Sequence, residues 1–242
     1  MRQKNLNFYF FKSLKNTNDK IKHLNLTDNP NKSNLALFTD LQTTGRGRAN
    51  NIWISSKGDL TCSFLINQKL NTNCLGQINI LVSSIVLKIL NIYFSNIDFR
   101  YKWPNDIFID DMKLAGLLIE TNVKNNDILY FVIGIGINFI PKNELSNIKT
   151  ISISDFSHNV KPINIFFELS KTICHSFNNF ENLNFSSISN KLNKKAYFEN
   201  KNISIKQNKK TLSGNFVGID KYGSLMISNQ NGIQTLSFGE VL

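Results

Sequence analysis

Apolar residues recur along this chain with two periods, and the switches between them mark its elements. Asn7–Leu14 is an aromatic-rich run that predicts a strand. Thr17 then stands as the cap of a short helix carrying Ile21 and Leu24. Leu35–Thr39 predicts a short strand leading into a glycine-bearing loop at 43–52, and Asp59–Ile66 predicts a second strand. From Gly76 to Phe94 the apolar side chains Ile78, Leu81, Val82, Ile85, Val86, Ile89 and Leu90 fall at the spacing of a helix with a buried face. Phe99–Trp103, Asp106–Ile109 and Lys113–Thr121 read as strands around a turn at Asp110-Asp111, and Tyr130–Asn138 as a strand too apolar for a sheet edge. Helices are predicted over Ile163–Phe180 and about residues 186–197.

Near Tyr197 the pattern changes to short strands: Ile203–Lys206, Thr211–Ile219, Ser224–Ser228 and Ile233–Phe238. Turns at Asn208, Asp220–Gly223 and Asn231-Gly232 separate them, and Asn-Gly between apolar runs is a strong hairpin signal. Such a series predicts a small β-barrel. The expected architecture is a mixed α/β (α+β) domain over residues 1–196 with a barrel attached over 197–242.

Composition narrows the picture. The 242 residues are 41% hydrophobic and 11% aromatic, enough for a core and unlike a disordered tail. The longest apolar stretch, Ile78–Phe94, is interrupted by Asn79, Ser83, Ser84, Lys88 and Asn91, so no membrane span is expected. Phe8–Phe11 is too short for a signal-peptide core. Cys62, Cys74 and Cys174 offer neither a disulfide framework nor a zinc spacing, and a cytoplasmic chain is expected. Cys62 reads as a small buried hydrophobe, and His23, His158 and His175 match no catalytic spacing. The net charge of +11 invites a nucleic-acid reading. It is carried by 24 Lys and only 4 Arg among 37 Asn, a mixture that reads as compositional drift rather than a selected binding surface.

Four constellations carry candidate chemistry. Gly45-Arg46-Gly47-Arg48 puts two guanidiniums on a glycine hinge, suited to a phosphate or carboxylate and to closing over a reactive intermediate. Lys102-Trp103-Pro104-Asn105-Asp106 offers a cation, an amide and a carboxylate around a proline-fixed turn. Lys113-Leu114-Ala115-Gly116 opens an apolar strand with a lysine. Gly134-Ile135-Gly136-Ile137-Asn138 sets two glycines inside an apolar strand, where something must approach closely to justify them. GxGxN lacks the third glycine and following helix of a dinucleotide fingerprint.

In this order and spacing, with Trp53 eight residues after Gly45, Leu41-Gln42 ahead of the loop and Asn16-Thr17-Asn18 near the start, the motifs resemble those of the biotin–protein ligases. The stretch Gly218-Ile219-Asp220 to Gly239-Glu240 is similar to the SH3-like barrel of that family. The resemblance implies a mixed-sheet catalytic domain related to class II aminoacyl-tRNA synthetases, in the form without an N-terminal DNA-binding domain, so no DNA binding is expected. It implies a carbon–nitrogen bond-forming ligase with biotin as substrate, ATP and Mg²⁺ as co-substrate and ion, and no tightly bound prosthetic group. The acceptor would be a lysine of the biotin carboxyl carrier protein of acetyl-CoA carboxylase. A monomer and a ligand-promoted homodimer both stay open.

Carried over position by position, the resemblance places Asn16, Thr17, Asn18, Gln42, Arg46, Gly47, Arg48, Lys113 and Gly116 around biotin. It places Arg46, Arg48, Trp53, Lys102, Asn105, Lys113 and Asn138 around the nucleotide. Lys113, Arg48 and Asp106 are the catalytic candidates, with Asp106 open between holding Mg²⁺ and deprotonating the incoming lysine. The chain departs from the family's pattern at Asn16, where a serine is usual, and at Ala49-Asn50-Asn51-Ile52, where glycine and basic residues are usual. Two other classes compete: a lipoate–protein ligase of the same superfamily, and a basic nucleic-acid-binding module built on the terminal barrel.

Overall fold

A computed structural model describes residues 5–142, 149–157, 159–208 and 210–241. Its first elements are β1 (Leu6–Phe11), α1 (Thr17–Thr27), β2 (Asn34–Thr39), β3 (Gly45–Arg46), β4 (Ile52–Trp53), β5 (Leu60–Ile66) and β6 (Leu70–Asn71). Then come α2 (Leu75–Tyr93), β7 (Phe99–Lys102), β8 (Asp106–Ile109), β9 (Met112–Lys124), β10 (Asp127–Ile137), α3 (Pro162–Asn178) and α4 (Phe185–Asn193). The chain closes with β11 (Asn202–Gln207), β12 (Lys210–Ile219), β13 (Leu225–Asn229), β14 (Gly232–Leu236) and β15 (Glu240–Val241). These group into two compact units that interleave in sequence: Met1–Thr72 with Asp111–Leu183, and Asn73–Asp110 with Asn184–Leu242.

In the first unit the strands run in the order β1-β2-β5-β10-β9, with β6 also on β10. The β1–β2 pair is parallel and the other pairs are antiparallel, a mixed sheet. β2 and β5 are buried at every residue, because each face of the sheet is covered by a helix. Ile21 and Leu24 of α1 lie on Leu35, Leu37, Leu65 and Val132. On the opposite face Phe166 of α3 stacks on Phe64 at 5.7 Å between ring centres, and Phe177 meets Phe131 edge-on at 4.9 Å. Two-sided burial is why these strands read as continuous apolar runs rather than alternating ones.

Local chemistry corrects several expectations. The cap of α1 is Asn16, whose side chain accepts from the Asp19 amide; Thr17 is the first helical residue and spends its hydroxyl elsewhere. β9 continues three residues beyond Thr121 into a tight turn where Asn125 and Asn126 both have positive φ (52° and 63°), a conformation asparagine tolerates. α4 stops at Asn193, short of 197, because the backbone that follows pairs with β7: the Tyr101 amide donates to the Lys195 carbonyl, and Tyr197 donates to Tyr101.

The second unit contains α2, the β7–β8 hairpin, α4 and a five-stranded antiparallel sheet in the order β14-β13-β12-β11-β15. That sheet has the character of a small SH3-like domain, though no pairing between its end strands closes it among the described residues. By length and composition alone the stretch Thr72–Tyr93 is apolar enough to cross a membrane; here 56% of its apolar window is buried inside the protein.

One buried ion pair fastens the end of β10. Asp59 is 1% exposed and accepts from the amides of Phe139 (2.9 Å), Ile140 (3.1 Å) and Ser56 (2.6 Å), while Lys142 closes on it as a buried salt bridge. Asp59→Ala would strand the Lys142 ammonium and three amide donors, at a cost of about 3–5 kcal/mol. Urea unfolding should show that loss as a lowered midpoint with an unchanged slope.

Candidate active site

The face of the first unit's sheet that α1 covers changes character along its strands. Under α1 it is apolar, at Leu35, Leu37, Leu65 and Val132. Two residues further on, the positions of the same parity are Ser63, Gly134, Thr61, Gly136 and Gly116. Gly134 sits opposite Ser63 on β5, and Gly136 sits between Thr61 on β5 and Gly116 on β9. The alternate residues Ile133, Ile135 and Ile137 point to the other face and are buried. The sheet thus keeps its core on one side and loses its side chains on the other.

Two groups fill the ground left bare. A Cβ on Gly134 would lie 2.6 Å from Asn18 Oδ1, and a Cβ on Gly136 would lie 2.4 Å from the Trp53 ring. Gly116 is likewise close to Trp53 and to the end of the Lys113 side chain, whose Nζ lies 5.7 Å from the indole centre. A cross-strand pair of glycines is therefore the floor under an indole and an ammonium.

Around that floor the expected biotin residues come together. Gln42 Oε1 accepts from both the Thr17 amide (2.7 Å) and the Thr17 hydroxyl (3.0 Å). Asn16 donates to the Thr44 carbonyl at 3.2 Å, and Asn18 donates to Glu120 at 2.6 Å while accepting from Ser63 at 2.6 Å. Asn16, Thr17, Asn18 and Gln42 are all buried, and each is fixed by a neighbouring side chain or backbone group. Lys113 is held at its backbone: its amide donates to Lys149, its carbonyl accepts from Ile151, and the same carbonyl accepts from the Asn138 side chain at 3.2 Å. Asn138, expected as a nucleotide contact, is 2% exposed and orients Lys113.

The arginines behave differently from each other. Arg46 forms a two-pronged bond with Asp19 (2.6 and 2.7 Å) and reaches Glu120 at 3.4 Å, where Lys22 also pairs at 3.1 Å. Its carboxylate partners are the chain's own. The hydrogen bond from Arg46 holds the Asp19 carboxyl below its ordinary value despite partial burial, and Asp19 in return raises the guanidinium. Arg48 is exposed on a one-turn loop closed by Asn51 N to Arg48 O and Gly47 N to Asn51 O. Within it Ala49 has φ 49° and ψ 38°, a left-handed conformation that suits glycine.

Asp19, Ser63 and Glu120 were not singled out by sequence reasoning. The available signals were a carboxylate closing an otherwise apolar strand and a serine inside the apolar run 60–66. Lys102, Asn105 and Asp106 lie in the second unit, where the Lys102 ammonium sits 4.8–5.8 Å from the ring centres of Phe108, Tyr197 and Phe198. Among the described residues no group of three or more His, Cys, Asp or Glu side chains converges on a metal position. Cys62 is fully buried and burial pushes its thiol well up, so it is inert. His23 and His175 are exposed, and His158 lies outside the described residues.

Comparison with known proteins matches both parts of this arrangement. Residues 10–138 match the model of the biotin/lipoate A/B protein ligase family, and residues 200–242 match that of the biotin protein ligase C terminal domain. The fold is that of the biotin protein ligase from Aquifex aeolicus solved with biotin and ATP: the TM-score is 0.80 over 98% of this chain and 97% of that one, at 24% identity. The bifunctional ligase/repressor BirA of Escherichia coli is 26% identical over 87% of this chain, and the biotin–protein ligase of Schizosaccharomyces pombe is 33% identical over 40%. The chain spans 66% and 18% of the lengths of those two relatives. The chain belongs to the biotin/lipoate A/B protein ligase family.

Two outcomes follow from this geometry. Gly136→Ala must displace either the indole or the sheet, costing about 1–3 kcal/mol as overpacking does; tryptophan emission should shift and the unfolding midpoint fall together. Because the folded-state value of Asp19 is depressed, its pairing with Arg46 stabilises above the ordinary carboxylate range and is lost as pH falls through the lowered value. In Arg46→Ala the Asp19 carboxyl should titrate higher than in the wild type, read by carbon NMR of the labelled side chain.

Proposed function

We propose that this chain is a biotin–protein ligase: with ATP it activates biotin and attaches it to a lysine of a carrier protein. The observation that carries the reading is the glycine floor of Gly116 and Gly136, with Lys113 fixed at its edge and the buried polar residues Asn16, Thr17, Asn18 and Gln42 around it. Its support from comparison is the match to two successive ligase segments and the ligands named for the Aquifex structure, biotin and ATP.

The proposed chemistry has two steps. An oxygen of the biotin carboxylate attacks the α-phosphorus of ATP; that P–O bond forms as the bond to the β-phosphate bridge breaks, giving biotinyl-5′-AMP and pyrophosphate. The uncharged amine of the carrier lysine then attacks the acyl carbon, the C–O bond to AMP breaks, and an amide, AMP and one proton result. Lys113 is assigned to the negative charge that gathers between the carboxylate and the α-phosphate. Asn138 holds Lys113 in place through its carbonyl. Arg48, on the exposed turn of the glycine loop, is assigned to covering the adenylate and excluding water, which would hydrolyse it. Trp53 supplies a flat apolar wall. Lys102 and Asn105 are assigned to the nucleotide. Asp106 is the carboxylate that would hold Mg²⁺, which when bound would offset charge on the triphosphate.

The decisive assay mixes the protein with ATP, biotin and a biotin carboxyl carrier domain and reads the carrier's mass. A biotinyl adduct is expected; no adduct beside an active control ligase, or an adduct formed only when lipoate replaces biotin, would overturn the reading. Lys113→Ala should lower adenylate formation at least 100-fold, about 2.7 kcal/mol of transition-state stabilisation. Pyrophosphate released at the wild-type rate would remove Lys113 from that role.

A further inference from the structure

The second unit contains a linkage that the proposed chemistry does not use. Trp103, at the centre of Lys102-Trp103-Pro104-Asn105-Asp106, is 3% exposed, and its indole N–H donates at 2.9 Å to the carbonyl of Gly223, 120 residues away. Gly223 belongs to the turn between β12 and β13. That turn is braced from within: Asp220 accepts from the amides of Tyr222 (2.9 Å) and Ser224 (2.8 Å), and its own amide donates to the Ser224 carbonyl at 2.9 Å.

The turn also interlocks with the start of α2. A Cβ on Gly76 would stand 2.1 Å from the Tyr222 carbonyl oxygen, and one on Gly223, which has φ +84°, would stand 2.3 Å from the Gly76 carbonyl oxygen. No side chain fits between these backbones. One helical turn after Gly76, Asn79 donates to the Pro104 carbonyl at 2.6 Å, and the Tyr101 hydroxyl donates to the same oxygen. The loop is thus gripped at Trp103 by the terminal sheet and at Pro104 by α2, and the two grips are themselves locked together through Gly76 and Gly223.

We infer that Trp103 is a positioning residue, through which the terminal sheet's 220–224 turn sets the orientation of Lys102, Asn105 and Asp106 toward the nucleotide. The inference rests on the assignment of those three residues to ATP made above. It gives the terminal sheet a task in the first step of the reaction. A residue that only filled the core would affect all substrates alike, whereas Trp103 should affect ATP and leave biotin, whose assigned residues belong to the other unit.

The test uses the full chain with Trp103→Phe, which keeps a buried ring and removes the N–H, and Gly76→Ala, which pries the interlock apart without touching the loop. In Trp103→Phe the KM for ATP in adenylate formation should rise about five- to tenfold, the worth of one buried hydrogen bond, with the KM for biotin within about twofold. Gly76→Ala should move the same constant in the same direction, and the double variant should be no worse than the worse single. Equal rises in both KM values, or an unchanged KM for ATP alongside a lowered melting temperature, would reduce Trp103 to a packing residue and overturn the inference. If Gly76→Ala does not fold, Trp103→Phe decides alone. Calorimetric binding of ATP separates this inference from the reading beneath it. Wild-type chain that binds ATP yet makes no biotinyl adenylate removes the biotin assignment only, and the inference then stands or falls on whether Trp103→Phe binds ATP more weakly. Wild-type chain that binds no ATP overturns both.

Discussion

Everything at the candidate site depends on a sheet that must be closed on one face and open on the other. The rows Ile133, Ile135, Ile137 and Gly134, Gly136 belong to the same strand, one residue out of step. The first row is buried on the face where Phe64 lies opposite Ile133, and it gives the strand its hold. The second gives up side chains so that Asn18 and Trp53 can approach the backbone. A strand with apolar side chains on both faces would be more stable and would bind nothing. Alternation lets one element serve both needs without a separate pocket.

Polar groups around the opening follow the same economy. Each buried amide there has another site residue or nearby backbone as its partner: Thr17 with Gln42, Asn16 with Thr44, Asn18 with Ser63 and Glu120. Burying such groups costs little only when they are satisfied. The charged rim is handled differently, with Arg46, Lys22, Asp19 and Glu120 partly exposed to solvent screening and joined as a network. The buried ring is held by direct hydrogen bonds, and the rim by ion pairs that salt can screen.

Most of the fold was legible in the sequence because it rests on short-range signals. Continuous apolar runs marked β2, β5 and β10, helical spacing marked α2 and α3, and the glycine and lysine motifs drew attention to Lys113, Gly116, Gly134 and Gly136, which the structure brings together with Trp53 and Asn18. What stayed hidden was set by partners far away in the chain. Nothing near Gly136 says that Trp53 will lie on it. Asp59 looks like an ordinary strand-opening residue until Lys142 and two amides of the β10 exit meet it. Thr17 is as good a helix cap as Asn16 by residue type, and only the demand of Gln42 for the Thr17 hydroxyl decides between them. The predicted end of α4 failed for the same reason, since β7 takes the backbone that would have continued the helix.

The interleaving of the two units has a consequence for how the chain is made. Residues 73–110 interrupt the first unit, so β5 waits for β9 and β10 before its sheet can be completed. α2 waits longer still: α4 and the 220–224 turn are synthesised about 90 to 150 residues after it, several seconds or more at ordinary translation rates. During that interval its apolar face emerges without its own cover. Ser83, Lys88 and Asn91, which interrupt that stretch, keep the nascent segment from being uniformly greasy at the ribosome exit. A chain stopped before Gly223 would leave the start of α2 permanently unclamped, so emergence of the 220–224 turn, rather than of the first sheet, is the point at which the second unit can settle.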